Sequence, residues 1–185
     1  MKYLVASDIH GSAYYCDLML KAFRDEKCDR LFLLGDILYH GPRNDLPKDY
    51  SPKRVIEMLS EVAGKTFCVR GNCDTEVDQM VLPFPIMADY ALIDCRSYMM
   101  YATHGHIYNS HNPPPITPHD VLLYGHTHVP EWGEGEKCIW LNPGSVSLPK
   151  QGSRHSCMIL EKGYFHWKDI ETGEYFLPSV QESQR

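Results

Sequence analysis

The sequence predicts an α/β fold. Short apolar runs that read as buried strands alternate with segments of helical periodicity. Five of the apolar runs also stop at residues able to bind a metal or a phosphate: Asp8 with His10, Asp36, Asn72, His104, and His126 with His128. Open α/β sheets bind ligands beyond the carboxyl ends of their strands, so strands lying side by side would bring all these groups to one rim.

Each element follows from local pattern. Residues 2–7 are an apolar run that stops at Asp8-Ile-His-Gly11, a first strand. Leu18, Leu20 and Phe23 amid charges give residues 12–26 the stripe of an amphipathic helix. Residues 30–35 are a second buried strand, stopping at Asp36, and the Gly-, Pro- and Asn-rich segment 40–52 is a long loop. Ser51-Pro52 marks a helix start, serine as N-cap and proline in the first turn. Val55, Ile56, Leu59 and Val62 supply its apolar face and Gly64 its stop. Residues 66–70 form a third strand ahead of Gly71-Asn72-Cys73-Asp74.

Beyond a polar stretch, residues 84–103 read as two strands, the second covering 98–103 and stopping at His104-Gly-His106. Asn112 and three prolines follow as an extended spacer. Residues 121–124 are a buried strand before Gly125-His126-Thr-His128. Residues 138–141, 156–161 and 164–170 alternate as a half-exposed antiparallel sheet would, and the tail after Pro178 is polar and read as loose.

Composition narrows the function classes. The 185 residues, 43% hydrophobic, suit one domain over 1–185 with a sizeable core. The formal net charge of −6 lacks the basic excess of a general nucleic-acid binder. No run approaches the roughly 18–20 apolar residues of a membrane span. Seven cysteines, none in CxxC spacing, argue against a zinc knuckle or a thioredoxin-type site. Their odd number, behind an N-terminus without a secretory signal, points to reduced thiols in a cytoplasmic protein. Trp132, Trp140 and Trp167 pack either a core or the interface of a homo-oligomer, dimer or tetramer.

The strand-end residues carry chemistry as a set. Alone, Asp-x-His or Gly-Asp is a common turn, and Gly-Asn a tight turn with asparagine at positive φ. His126 and His128 are more specific, since a two-residue spacing puts both imidazoles on one side of a strand. Nitrogen and oxygen donors without a thiolate suit Mn, Fe, Co, Ni or Zn. Seven donors exceed the needs of one four-coordinate ion but fit two ions sharing a carboxylate, about 3.5–4 Å apart, with an activated water between them. That arrangement favours in-line attack on phosphorus.

Asp8-Ile-His10, Gly35-Asp36, Gly71-Asn72-Cys73-Asp74, Thr103-His104-Gly105-His106 and Gly125-His126-Thr127-His128 together resemble the calcineurin-like metallophosphoesterase family. His40-Gly-Pro-Arg-Asn44, Asp78-Gln79-Met80 and Asn142-Pro-Gly-Ser-Val-Ser147 place the resemblance among its compact bacterial phosphodiesterases. The resemblance implies a four-layer αββα sandwich of two mixed β-sheets flanked by helices. It implies two divalent metal ions, Mn²⁺ first with Fe, Ni, Co or Zn as alternatives. Asp8, His10 and His128 would hold one ion, Asn72, His104 and His126 the other, and Asp36 both. His106 matches no ligand position and is read as an orienter or a structural residue. Asp74 is expected to orient residue 73, and Arg43 and Asn44 to hold the substrate phosphate.

The activity implied is hydrolysis of small-molecule phosphodiesters by a metal-bridging hydroxide. Two divalent ions, less two carboxylates and a hydroxide, leave a small positive charge that matches a diester monoanion. Two enzymatic alternatives use the same centre, a phosphomonoesterase and a nucleotide pyrophosphatase. A non-catalytic scaffold of this fold is the third, disfavoured because all seven ligand positions are filled. The chain departs from the wider family at Cys73, where many members carry histidine. A thiol is a weak donor with an ordinary pKa of about 8.5, so the expected preference is for esters with good leaving groups. A nucleophilic role or an oxidation switch at Cys73 is the lesser alternative.

Overall fold

A computed structural model describes residues 1–95, 98–136 and 138–181. The elements in order are β1 (Lys2–Ala6), α1 (Ala13–Asp25), β2 (Arg30–Leu33), α2 (Pro52–Ser60), β3 (Thr66–Cys68), α3 (Glu76–Gln79), β4 (Tyr90–Asp94) and β5 (Met99–Thr103). They continue with β6 (Val121–Leu123), β7 (Pro130–Glu134), β8 (Ile139–Pro143), β9 (Ser156–Glu161), β10 (Tyr164–Asp169) and β11 (Val180–Gln181).

Two mixed sheets result. The first has the order β11-β10-β9-β1-β2-β3, the second β4-β5-β6-β8-β7. In the first, β1, β2 and β3 run parallel, while β9 lies antiparallel on the other side of β1. In the second, β5, β6 and β8 run parallel between antiparallel β4 and β7.

Strand alternation explains the layers. Leu4 and Ala6, with Leu31 and Leu33, face α1 and α2, where Met19, Leu20, Phe23, Val55 and Leu59 close the helix-side core. Val5, Phe32 and Leu34 face the other way and meet Met100, Ala102, Val121, Leu123 and Leu141 of the second sheet. Trp167 is fully buried in this inter-sheet core, its indole N–H donating to the Asn142 carbonyl at 2.7 Å. Each such side chain taken wholly out of water is worth about 1.5–3 kcal/mol. The outer face of the second sheet is covered by Tyr108 and Ile116 from the segment between β5 and β6, packed on Tyr101, Leu122 and Tyr124.

Local signals account for the helix ends. Ser12 caps α1 by accepting from the Tyr15 amide, and Pro52 opens α2. The Ser51 side chain makes no capping bond, so proline's fixed φ sets that boundary. Helix α2 ends at Ser60, and a single 3₁₀ turn, Ala63–Lys65, takes up the position of the expected glycine stop. A reciprocal Thr75/Asp78 capping box starts α3.

Three expectations are corrected. The strands that end in donor residues do not lie side by side in one sheet: β1, β2 and β3 belong to the first, β5 and β6 to the second. Residues 138–141, 156–161 and 164–170 do not form one half-exposed sheet either. Strand β8 joins the second sheet, β9 and β10 join the first, and β9 is buried because the helix-side and inter-sheet cores cover its two faces. Past Pro178 the chain is not loose throughout, since Val180–Gln181 pair antiparallel with β10. Residues 182–185 lie outside the described residues.

Candidate metal centre

The carboxyl ends of strands from both sheets meet at one rim, and all seven expected donors lie there. Asp8 and His10 follow β1, Asp36 follows β2, Asn72 follows β3, His104 follows β5, and His126 and His128 follow β6. Five of them, Asp8, His10, Asp36, His126 and His128, have left-handed backbone, with φ of 60°, 48°, 56°, 66° and 62°. That region costs a non-glycine residue about 1–3 kcal/mol and persists only where surrounding structure enforces it. Five of the nine non-glycine residues with positive φ among the described residues lie on this rim.

The enforcement is visible. Ser145 and Ser147 hydroxyls both donate to the Asp8 carbonyl, and the His126 amide donates to Asp8 Oδ2 at 3.1 Å. Asp74 is buried and accepts from the amides of Asp36, Ile37 and Gly71 at 2.8, 2.9 and 2.8 Å. It thereby ties the turn after β2 to the turn after β3. A Cβ on Gly71 would collide with the Asp36 carboxylate and backbone, which is why glycine stands there. Burial pushes the Asp74 carboxyl pKa above its ordinary value, although three amides favour the ionised form.

Histidine orientation sets what the site offers. His10, His104 and His128 each donate Nδ1–H to a backbone carbonyl, those of Tyr39 at 2.7 Å, Leu34 at 2.7 Å and Leu148 at 2.6 Å. A carbonyl only accepts, so the proton sits on Nδ1 and each Nε2 points inward as a free donor atom. His126 is turned the other way, its Nδ1 3.2 Å from His104 Nε2.

These atoms fall into two groups around one carboxylate. His10 Nε2 and His128 Nε2 lie 3.5 and 3.3 Å from Asp8 Oδ1, and 3.4 Å from each other. His104 Nε2 lies 3.1 Å from Asn72 Oδ1 and 3.2 Å from His126 Nδ1. Asp36 Oδ2 stands between the groups, 3.7 Å from His10 Nε2 and 3.5 Å from His104 Nε2. Its other oxygen accepts from the Cys73 amide at 2.8 Å.

The donor set fits cations. Asp8 Oδ1 is buried without a hydrogen-bond partner, an expensive state unless a positive charge faces it. Two imidazole nitrogens 3.4 Å apart, each ring donating Nδ1–H to a carbonyl, are placed to share a cation. Titration tells the same story. Burial opposes protonation of His104, yet the bond to Asp36 and the charge of Asp8 and Asp36 raise its pKa to about 9. Burial would raise Asp8, but His10 and His128 hold its carboxyl well below the carboxylate range. The buried carboxylates thus draw protons onto their neighbours where a metal would otherwise neutralise them. His126 is pushed down by burial and then by His104.

A cavity of about 330 Å³ opens over these groups, lined in addition by Arg43, Asn44, Thr127 and Lys150. Asn44 donates to the His40 carbonyl and accepts from Lys150 Nζ at 2.9 Å. The Cys73 thiol lines the cavity as well, and burial, with Asp36 beside it, pushes its pKa up to about 12. Asn72 donates its amide N–H to the thiol sulfur at 3.3 Å. Asp74 contacts backbone, not the Cys73 side chain, in the bonds described above. His106 stands behind His104, ring centroids 5.4 Å apart, and its buried Nδ1 has no partner. Sequence reasoning missed Lys150: it sits 106 residues from Asn44 in a segment with no charge motif, so only the fold brings it here.

The chain matches the model of the calcineurin-like phosphoesterase superfamily domain over residues 1–163. It is 46% identical over 161 residues to phosphodiesterase YfcE of Escherichia coli (strain K12), covering 87% of this chain and 88% of that protein. The solved structure of YfcE, a phosphoesterase from E. coli, superposes with a TM-score of 0.95 at 41% identity, covering 99% of this chain and 100% of that one. Vacuolar protein sorting 29 from Cryptosporidium parvum shares the fold, with a TM-score of 0.66 at 17% identity over 99% and 98% of the two chains.

Proposed function

The chain belongs to the calcineurin-like phosphoesterase superfamily, and from that premise we propose that it is a phosphodiesterase working with two divalent ions, Mn²⁺ first among them. Asp8, His10 and His128 would hold one ion and Asn72, His104 and His126 the other, with Asp36 available to both. The observation that carries this reading is the position of Asp36 Oδ2, faced by His10 Nε2 at 3.7 Å and His104 Nε2 at 3.5 Å from opposite groups. Divalent ions held by these residues would supply water activation and neutralisation of phosphoryl charge, the chemistry that in-line hydrolysis needs.

The chain's own residues do the rest. The carbonyls of Tyr39, Leu34 and Leu148 fix three imidazoles with Nε2 inward. Asp74 fixes the Asp36 turn. Arg43, Asn44 and Lys150 line the cavity where a phosphate would sit. Cys73, an un-ionised thiol with little acidity, gives weak help to a departing alkoxide. In this reading residues 1–185 act as one domain in the cytoplasm, where its cysteines stay reduced. Among the described residues no helix is long and apolar enough to cross a membrane.

A second reading, phosphomonoesterase, is favoured by one observation: Lys150 adds a cation beside Arg43, and a monoester dianion asks for more positive charge than a diester does. The deciding experiment is an assay of metal-stripped protein on paired aryl mono- and diesters with Mn²⁺, Fe²⁺, Co²⁺, Ni²⁺ and Zn²⁺. Metal-dependent turnover of the diester is expected. Faster monoester turnover would establish the second reading, and no turnover with any ion would overturn both.

A further inference from the structure

A second cavity adjoins the candidate metal centre. It is an open groove of about 380 Å³ lined by Tyr39, Tyr50, Ile56, Val77 and Val81 together with Cys73. Cys73 also lines the metal-centre cavity, so the two spaces adjoin at this residue. Its Sγ lies within 4.8 Å of donor atoms of His10 and Asp36.

The groove is apolar where solvent would favour polar residues. Val77 is 69% exposed, Val81 48% and Tyr39 42%. Single exposed hydrophobics are ordinary, but several around one concavity mark a binding surface. Its carboxylate, Asp78, is committed to the α3 cap, where Oδ2 accepts from the Thr75 amide and hydroxyl at 2.8 Å each. The aromatic wall is organised: His40 packs edge-on against Tyr39 and Tyr50, with centroids 4.8 and 5.3 Å away. By contrast the first cavity is lined by Arg43, Asn44 and Lys150, groups suited to phosphoryl oxygens.

A phosphodiester carries two organic substituents on one charged centre. With phosphorus over the metal donors, a substituent directed past the small Cys73 side chain enters the groove. Roughly 150 Å³ already accommodates a benzene-sized ring, so the space suffices for an aryl or short alkyl group. We propose that this groove binds an uncharged aromatic or alkyl substituent of the substrate, making Tyr39, Val77 and Val81 determinants of specificity for apolar phosphodiesters. The inference rests on the phosphodiesterase reading above and deepens it.

Calorimetry with non-hydrolysable phosphinates tests it without turnover. Diphenylphosphinate and dimethylphosphinate carry the same charge and differ only in the groups on phosphorus. The Mn²⁺-loaded protein is expected to bind the diphenyl compound at least tenfold more tightly, with the more negative heat capacity change of apolar burial. The double variant Val77→Asp/Val81→Asp should erase most of that preference and leave dimethylphosphinate binding unchanged. Val77→Trp, which fills the groove, should weaken diphenylphosphinate alone. Equal binding of the two phosphinates by the native protein overturns the inference. So does a preference that survives both variants, or a change in sedimentation showing that the groove seats a second copy. Diester hydrolysis measured alongside separates the two failures: with it intact, only the groove assignment falls; without it, the phosphodiesterase reading falls too.

Discussion

The Asp74 carboxylate accepts the Asp36 amide at 2.8 Å, so the shared acid of the candidate centre is held in place by a second, buried acid. The same oxygen takes the Gly71 amide and its mate takes the Ile37 amide. Asp74→Ala would strand three buried donors, each costing about 1–3 kcal/mol. Asp74→Asn would turn an amide N–H against one of them. Asp74→Ala is expected to lower stability by about 3 kcal/mol or more and Asp74→Asn by about 1–3 kcal/mol, each weakening metal binding as well. Denaturant unfolding and Mn²⁺ titration measure the two effects; a stable variant with native affinity would contradict the assignment.

The two donor groups make unequal demands on single residues. Asp36→Asn should weaken both ions, whereas His126→Ala should empty mainly the group formed with Asn72 and His104. Metal content after dialysis, read as ions per chain, should fall toward zero in the first case and toward one in the second. Full occupancy in both variants would remove Asp36 from its shared role.

Cys73 is a poor acid where it stands, with a pKa near 12 from burial and the adjacent Asp36 carboxylate. Cys73→His should therefore raise kcat/KM most for esters of weakly acidic alcohols, by about tenfold or more, within the range of general acid catalysis. A leaving-group series measured on both proteins gives the answer as a change in slope. Parallel slopes would exclude this account of the thiol.

Far from the site, Glu26 joins Lys2 at 2.7 Å, Lys168 at 2.9 Å and the Tyr175 hydroxyl at 2.8 Å. Burial would raise its pKa, but the bonds from Lys168, Lys2 and Tyr175 outweigh it and bring the value down to about 2. A depressed carboxyl contributes stability above its unfolded pKa and loses it as pH falls through the folded one. Glu26→Gln should thus cost about 1–3 kcal/mol at pH 7, discounted for partial exposure. The gap between native and variant stability should close between about pH 4.5 and pH 2. A gap constant down to pH 2 would show that the cluster contributes through packing alone.

Much of this could be read from residues in order. The apolar runs placed β1, β2, β3, β5 and β6, and the seven donor positions were visible because each closes such a run. Pairing between distant segments was not visible. Period-two alternation in β8, β9 and β10 says nothing about which sheet receives them, and β9 is sealed on both faces only because helices and the opposite sheet arrive from elsewhere. Strand β7 was missed because Pro130 and Gly133 suppress strand propensity. Gly133 instead packs directly under the Trp140 ring. Lys150 and the carbonyls of Leu34, Tyr39 and Leu148 left no mark, since backbone groups and lone surface cations look alike in any sequence.

The position of β1 between β2 and β9 bears on how the chain is made. During synthesis residues 8 and 36 leave the ribosome before residues 156–161, so one hydrogen-bonding edge of β1 stays bare until the latter emerge to cover it. The donors that follow β1 and β2 are therefore made well before the sheet that carries them is closed. A truncated product lacking β9 would expose a Leu- and Val-rich margin, inviting aggregation in place of loading.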